Sequence, residues 1–346
     1  MTYRLVNAYI MKITIVDIAR LAGVSQATVS RVINNSEKVK ESTRSKIQQV
    51  MKDNNYVYNA LAGGSGKNAT CTIGLIIPTI TNPIFAVSTQ GIQTAAAKRG
   101  YSILLGTTEY SSSTELDLVR LFSEKQVDGI ILTGAPMNHL TINYINQRNI
   151  PFVITYERIK SANASFVTFD NVMAANRTMD YLFSLGHRRI GMITGQFSYS
   201  GRSERRWQGY KAGLEKRGIL YDEQLVMQKD FTVIGGREAA TRMLQNPNPP
   251  TAIFCGNDII AYGAMAIAKE KGLKVGTDIS IVGFDDLEMS ATMDPPLTTT
   301  RIPGSEMGEM GAKILIDKIE KINEEPVQYI LETDFIVRSS VADLNK

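Results

Sequence analysis

The sequence predicts an α/β chain in three parts: a small helix-turn-helix head, a short linker, and a large core of two lobes, each built on a parallel sheet. Two patterns and one charge distribution carry that reading. Residues 14–34, TIVDIARLAGVSQATVSRVIN, space apolar and capping residues as two tightly crossed helices require. From Thr72 onward, short apolar β-branched runs alternate with helix-length segments. Charge is uneven along the chain. Residues 1–71 hold ten Lys or Arg against four acids, a net of +6, while the whole chain is +4, so the remainder sums to −2.

In the head, Thr14 and Asp17 have capping-box spacing, so the first helix begins near Ile15 and turns Ile15, Ile18, Ala19 and Ala22 inward. Gly23 supplies the permissive backbone of a sharp stop. Ser25 caps a second helix whose inward stripe is Thr28, Val29, Val32 and Ile33, leaving Gln26, Ala27, Ser30 and Arg31 outward. A third helix over 42–54 brings Ile47, Val50 and Met51 to close a miniature core. An ordinary helical hairpin with a solvated face is the alternative. Positive charge concentrated on this small segment favours contact with phosphates over general solubilisation.

Seven strand-like runs follow, at 72–78, 101–107, 127–134, 151–157, 189–195, 251–258 and 279–286. Runs apolar on both faces belong in parallel sheets covered by helices. The polar stretch around 160–165 divides the series near its middle, which favours two lobes over one large sheet. Ligands of such sheets sit outside the carboxyl ends of the strands. Two polar pairs end strands there, Asn257-Asp258 and Asp285-Asp286. Adjacent residues point different ways, so one aspartate of the second pair is expected to hold ligand and the other to cap.

Several functions are excluded. Among 346 residues there are two cysteines and two histidines. That argues against a disulfide framework or a metal site and for a reduced, cytoplasmic setting. His187 is expected to end a helix, where its charge suits the dipole. No run reaches the roughly 18 apolar residues of a membrane helix. GGSGK at 63–67 lacks the leading glycine, the trailing Ser or Thr and the preceding strand of a phosphate loop, and reads as a linker. No nucleophile elbow or dinucleotide fingerprint is present, so neither an enzyme nor a cofactor is expected. Trp207 packs in the core or touches ligand, and Asp170 lines a cleft or caps a helix.

These motifs together resemble the lactose-repressor (LacI/GalR) family of bacterial transcription regulators. Besides the head, the resemblance rests on NPIF at 82–85, VDGIIL at 127–132, LGHRRIG at 185–191, Arg206 three residues before Gly209-Tyr210, TAIFCGND at 251–258, and VGFDD and PPLTTTR within 282–301. It implies a core like the periplasmic sugar-binding proteins and a homodimer on near-palindromic double-stranded operator DNA. Positions matching the family's DNA contacts are Thr14, Ser25, Gln26, Ala27, Thr28, Ser30, Arg31 and Asn34 in the head, with Asn59, Leu61 and Ala62 in the linker. Gln26 can pair with adenine, Arg31 with guanine, and Ala27 with a thymine methyl. Matching effector positions are Ile84 and Phe85 on the first lobe and Arg206, Phe231, Asn257 and Asp285 on the second. Planar, multidentate Arg, Asn and Asp suit a carbohydrate, while Phe231 offers a face that a purine would also accept.

The implied domains are a 1–11 extension, a 12–58 head, a 59–71 hinge and a 72–346 core. Lobe 1 covers about 72–170 and 300–330, and lobe 2 about 171–299 and 331–346. The hinge departs from the family: Ser65 stands where a leucine wedges into the minor groove, among Gly63, Gly64 and Gly66, each costing a helix about 0.8–1 kcal/mol. Weaker operator kinking, or use of Leu61 instead, is expected. The competing readings are a solute-binding protein, which leaves the basic head unexplained, and a sugar-processing enzyme, which lacks a base and a nucleophile.

Overall fold

The computed structural model describes residues 13–33, 38–56, 69–134, 139–159 and 163–346. The chain divides into two compact units, Met1–Thr70 and Cys71–Lys346. The first contains α1 (Ile15–Ala22), α2 (Gln26–Ile33) and α3 (Glu41–Asp53). Thr14 Oγ1 accepts from the Asp17 amide at 3.3 Å, and the Asp17 carboxylate accepts from the Thr14 amide at 3.0 Å, completing the reciprocal cap. Gly23 ends α1 at φ 66°, a left-handed conformation that costs glycine nothing. Ile18, Ala19, Ala22, Val29, Val32 and Ile47 form the buried centre, with Ile15, Ile33, Val50 and Met51 packed around it. Thr28 and Ser30 are both half-buried, so the inward stripe narrows to Val29 and Val32.

The second unit begins with β1 (Thr72–Ile77), α4 (Pro83–Lys98), β2 (Ser102–Thr107), α5 (Ser112–Glu124), β3 (Gly129–Thr133), α6 (His139–Gln147), β4 (Phe152–Thr155) and β5 (Ser165–Phe169). It continues with α7 (Asn171–Ser184), β6 (Ile190–Thr194), α8 (Gly201–Glu215), β7 (Val226–Gln228), α9 (Val233–Leu244), β8 (Ala252–Cys255), α10 (Asp258–Glu270), β9 (Ser280–Val282) and α11 (Glu288–Thr292). Last come β10 (Thr299–Arg301), α12 (Gly304–Ile319), β11 (Gln328–Leu331) and β12 (Asp334–Ile336). One sheet runs β11-β5-β4-β3-β1-β2 and the other β7-β6-β8-β9, every pair parallel. The antiparallel pair β10-β12 forms a separate two-stranded sheet, joined to the end of β9 by single parallel bridges, Val282 to Thr298 and Asp285 to Arg301.

All seven apolar runs become strands. The five further strands, β5, β7, β10, β11 and β12, escaped the pattern for physical reasons. β7 and β11 are edge strands with half-exposed or exposed side chains, and β10 and β12 are three residues long. β5 follows the polar stretch at 160–165 and still belongs to the first sheet, so the division between sheets falls after Phe169. Strands β1, β3, β8 and β9 are buried almost throughout, the burial that two-sided helical cover imposes. α12 returns from the end of the chain to pack on α4, where Gly308 lies so close to the Ser88 carbonyl that a side chain would overlap it.

His187 corrects the expectation of a charged helix cap. It is fully buried, with Nδ1 2.9 Å from Thr251 Oγ1 and Nε2 2.9 Å from Ser280 Oγ and 3.1 Å from the Ala342 carbonyl. Burial lowers its pKa, so a neutral ring pins the C-terminal tail to the second sheet. Among the described residues, no helix is long and apolar enough to cross a membrane.

Candidate functional site

The head presents its polar surface on α2. Ser25 precedes the helix and its Oγ accepts from the Thr28 amide at 3.2 Å, so its role in the fold is to start α2. Gln26, Ala27 and Arg31 are exposed on that helix, separated from the core by buried Val29 and Val32. Thr14 is exposed but its hydroxyl is engaged with Asp17 at 2.7 Å. Asn34, Asn59, Leu61, Ala62 and the Ser65 departure lie outside the described residues.

In the core, the ends of the strands converge on a cleft, and the six expected effector residues line one small cavity: Ile84, Phe85, Arg206, Phe231, Asn257 and Asp285. Asn82 starts α4 by accepting from the Ile84 amide, which fixes Ile84 and Phe85 at the helix entrance. Arg206, on α8, is 5% exposed. Its Nε donates to Asn171 Oδ1 at 2.9 Å and its Nη1 to the Gly256 carbonyl, while its guanidinium carbon stacks 3.8 Å over the Phe284 ring. Its Nη2 lies 4.0 Å from Asp285 Oδ1. Burial pulls the Arg206 pKa down to about 10 and pushes Asp285 up to about 7, each shift opposed by the partner's charge.

The two strand-end pairs divide their work. Asn257 Oδ1 caps α10 through the Ile260 amide at 2.9 Å, leaving its buried Nδ2 without a partner on the cleft side. Asp258 is wholly structural, accepting from the Leu287 amide, Ser290 Oγ and Thr299 Oγ1. Asp285 faces the cavity at φ 124°. Asp286 is no helix cap: its carboxylate binds Arg301 Nε and Arg338 Nη2, each at 2.7 Å, and so ties β10 to the tail. Asp170 caps α7 through the Val172 and Met173 amides, and Trp207 packs on Phe197 and Tyr221 outside the cavity.

Sequence reasoning missed Tyr110, Tyr156 and Arg202, which complete the cavity, and Glu157 beside it. Arg202 sits one helical turn before Arg206, and Glu157 ends the fourth apolar run, so spacing could have flagged both. Tyr110 carried no signal. It occupies a left-handed turn after β2, and its ring lies 5.9 Å from that of Phe231 across the cleft. Phe231 in turn rests on Gly195, where any side chain would overlap the ring.

This geometry has known relatives. Residues 70–339 match the family model for periplasmic binding proteins and the sugar-binding domain of the LacI family, and residues 14–59 match bacterial regulatory proteins, lacI family. The chain belongs to the LacI family. Its head is the DNA-binding part of a transcription regulator and its core the ligand-binding part. The HTH-type transcriptional repressor CytR of Escherichia coli (strain K12) is 34% identical, over 96% of this chain and 97% of its own length. The lac repressor dimer bound to operator and the anti-inducer ONPF superposes with a TM-score of 0.83 at 26% identity, covering 95% of this chain and 99% of that one. A complex of the transcriptional regulator CelR with cellobiose gives 0.72 at 29% identity, over 95% and 99% of the two chains. These relatives are regulators, not enzymes.

Proposed function

We propose that this LacI-family regulator represses transcription as a homodimer on a near-palindromic operator, and that a sugar or sugar derivative held between the lobes sets its grip on DNA. The observation that carries the ligand class is the cavity around Arg206, Asn257 and Asp285. It offers a guanidinium, an unpartnered amide NH2 and a carboxylate in fixed directions beside the Phe231 ring, the chemistry that holds several ring hydroxyls at once. Cellobiose in a related regulator and the matched sugar-binding domain support the same class. Gln26, Ala27 and Arg31 read bases from the exposed face of α2, with Thr14, Ser25, Thr28, Ser30 and Asn34 beside them, and the hinge residues Asn59, Leu61 and Ala62 at the minor groove. The coupling is a free energy shared between cleft and head: effector binds one inter-lobe geometry better, and the paired heads change their fit to two half-sites.

The test is an operator selected from random duplexes by the full-length protein, followed by gel shift at moderate salt with and without a panel of sugars. At least one sugar changes the apparent affinity at least tenfold, and Arg206→Ala loses that response. A protein that selects no duplex, or whose selected duplex no sugar perturbs, refutes the reading.

A further inference from the structure

The first turn of α8, on the second lobe, is docked against the first. Ser200, Arg202 and Ser203 are all buried there, although each is polar. Three contacts cross between the lobes at this point. Arg205 Nε donates to Glu157 Oε2 at 3.0 Å, and Glu157 follows β4 of the first sheet. The Arg202 guanidinium lies over the rings of Phe85 and Tyr156, 5.2 and 5.5 Å from their centroids. Tyr199 stacks on Tyr110 with centroids 4.8 Å apart. The close approach is built into the sequence: a β-carbon at Gly201 would stand 3.1 Å from Glu157 Oε1, so a side chain there would crowd the carboxylate. Ser200 Oγ caps the helix through the Ser203 amide, and the positive end of α8 therefore lies beside the Glu157 carboxylate.

We infer that the Glu157–Arg205 pair is a latch that holds the two lobes shut and gates entry to the cleft between them. The pair is asymmetric, with the Glu157 side chain 2% exposed and that of Arg205 31%. The cost of closing therefore falls on the carboxylate, which gives up water and receives one guanidinium in exchange. Parting the lobes returns Glu157 to water and separates Arg202 from its two rings and Tyr110 from Tyr199. The cavities between the shut lobes are small and take their walls from both lobes, so a ligand enters only when the lobes part. Entry then proceeds through the open fraction of molecules, and the latch lowers its rate without choosing the ligand. The gate acts on any effector, so it goes beyond the sugar reading and does not rest on it.

Hydrogen–deuterium exchange of the full-length protein, read on peptides covering 108–111 and 199–203, reports the parting of the lobes. Tyr110 is the informative position, because it stacks on Tyr199 across the cleft while its hydroxyl bonds to neither Glu157 nor Arg205. Arg205→Met strands the buried carboxylate, the lobes part to hydrate it, and both peptides exchange about tenfold faster or more. Adding Glu157→Gln removes the stranded charge, so the double variant exchanges more slowly than Arg205→Met alone. Strands β1 and β8, at the centres of the two sheets, keep wild-type exchange in both. A rise that reaches β1 and β8 marks unfolding, and Arg205→Lys then decides: it keeps a charge but loses the planar fork, so it gives a smaller rise confined to the same two peptides. Wild-type exchange at 108–111 in both Arg205 variants, or a double variant at least as fast as Arg205→Met, overturns the inference.

Discussion

Arg206 and Asp285 face each other across 4.0 Å in a buried cleft, a separation at which their charges attract but form no tight bidentate pair. The guanidinium spends its shorter contacts on Asn171 and Gly256, leaving the Asp285 carboxylate turned to the cavity. Burial therefore wins over attraction at Asp285 and its pKa rises to about 7. A carboxyl raised in the fold holds a proton that the unfolded chain has already released, so between pH 4 and pH 7 this group makes stability fall as pH rises. Asp258, also raised by burial, adds in the same direction. Subtracting the melting temperature of Asp285→Asn from that of wild type, pH by pH, isolates the group. The difference declines from pH 5 towards pH 7.5; a constant difference means that Asp285 does not titrate there.

Arg206→Ala removes the only cation within 4 Å of Asp285 among the described residues and the donor to Asn171 and Gly256 at once. Losing a charged hydrogen-bond donor to the effector costs about 1.5–3 kcal/mol, so effector affinity falls by about tenfold or more. Arg206→Lys does not rescue it, because an ammonium cannot reproduce the planar fork over Phe284. Operator affinity without effector stays within about threefold of wild type, since Arg206 belongs to the core and the head is a separate compact unit. Gel shifts with and without effector check both halves. A variant that loses both together is misfolded or misassigned.

How much of this was legible in the sequence follows from where each side chain gets its constraint. The head was readable because its caps and its core are local: Thr14 and Asp17 are three residues apart, and Ile18 with Ala22 and Val29 with Val32 stand at helical spacing within their own helices. Of the seven strands read from the pattern, β1, β3, β8 and β9 were readable because burial on both faces makes them apolar throughout, and β2, an edge strand, because its sequence is apolar although half open to solvent. Arg206, Asn257 and Asp285 were reached through the family resemblance and through polar residues at strand ends. Tyr110 was not reachable, because its place depends on two successive left-handed residues, Glu109 and Tyr110, that carry a ring across to the other lobe. His187 was misjudged for the same reason: its partners Thr251, Ser280 and Ala342 are 64, 93 and 155 residues away.

Gly195→Ala tests the aromatic wall. A methyl there overlaps the Phe231 ring and Ser203 Oγ, so the ring must swing away from Gly195 and from its neighbour Tyr110. Overpacking of this kind costs about 1–3 kcal/mol, felt both in stability and in the shape of the cavity. Effector affinity drops about tenfold while the double variant Gly195→Ala, Phe231→Leu recovers part of the lost stability, because the smaller side chain makes room. Melting temperatures and titrations of the single and double variants form a cycle. If the two changes add independently, Phe231 does not rest on Gly195.

On the head, Arg31 is exposed on α2 one turn beyond Ala27, with buried Val29 and Val32 fixing which face it occupies. Arg31→Ala leaves the fold intact, since the residue contributes nothing to the centre formed by Ile18, Val29 and Ile47. If it reads a guanine, the loss is about 1–3 kcal/mol and falls on that base position, so the variant tolerates other bases there as well as it tolerates guanine. A phosphate contact behaves differently: affinity weakens on every sequence and the slope of log K against log salt becomes about one unit shallower. Binding to a set of operators mutated one base pair at a time, each measured at two salt concentrations, distinguishes the two. A uniform loss with a shallower slope assigns Arg31 to the backbone and leaves Gln26 as the base-reading side chain of the exposed face.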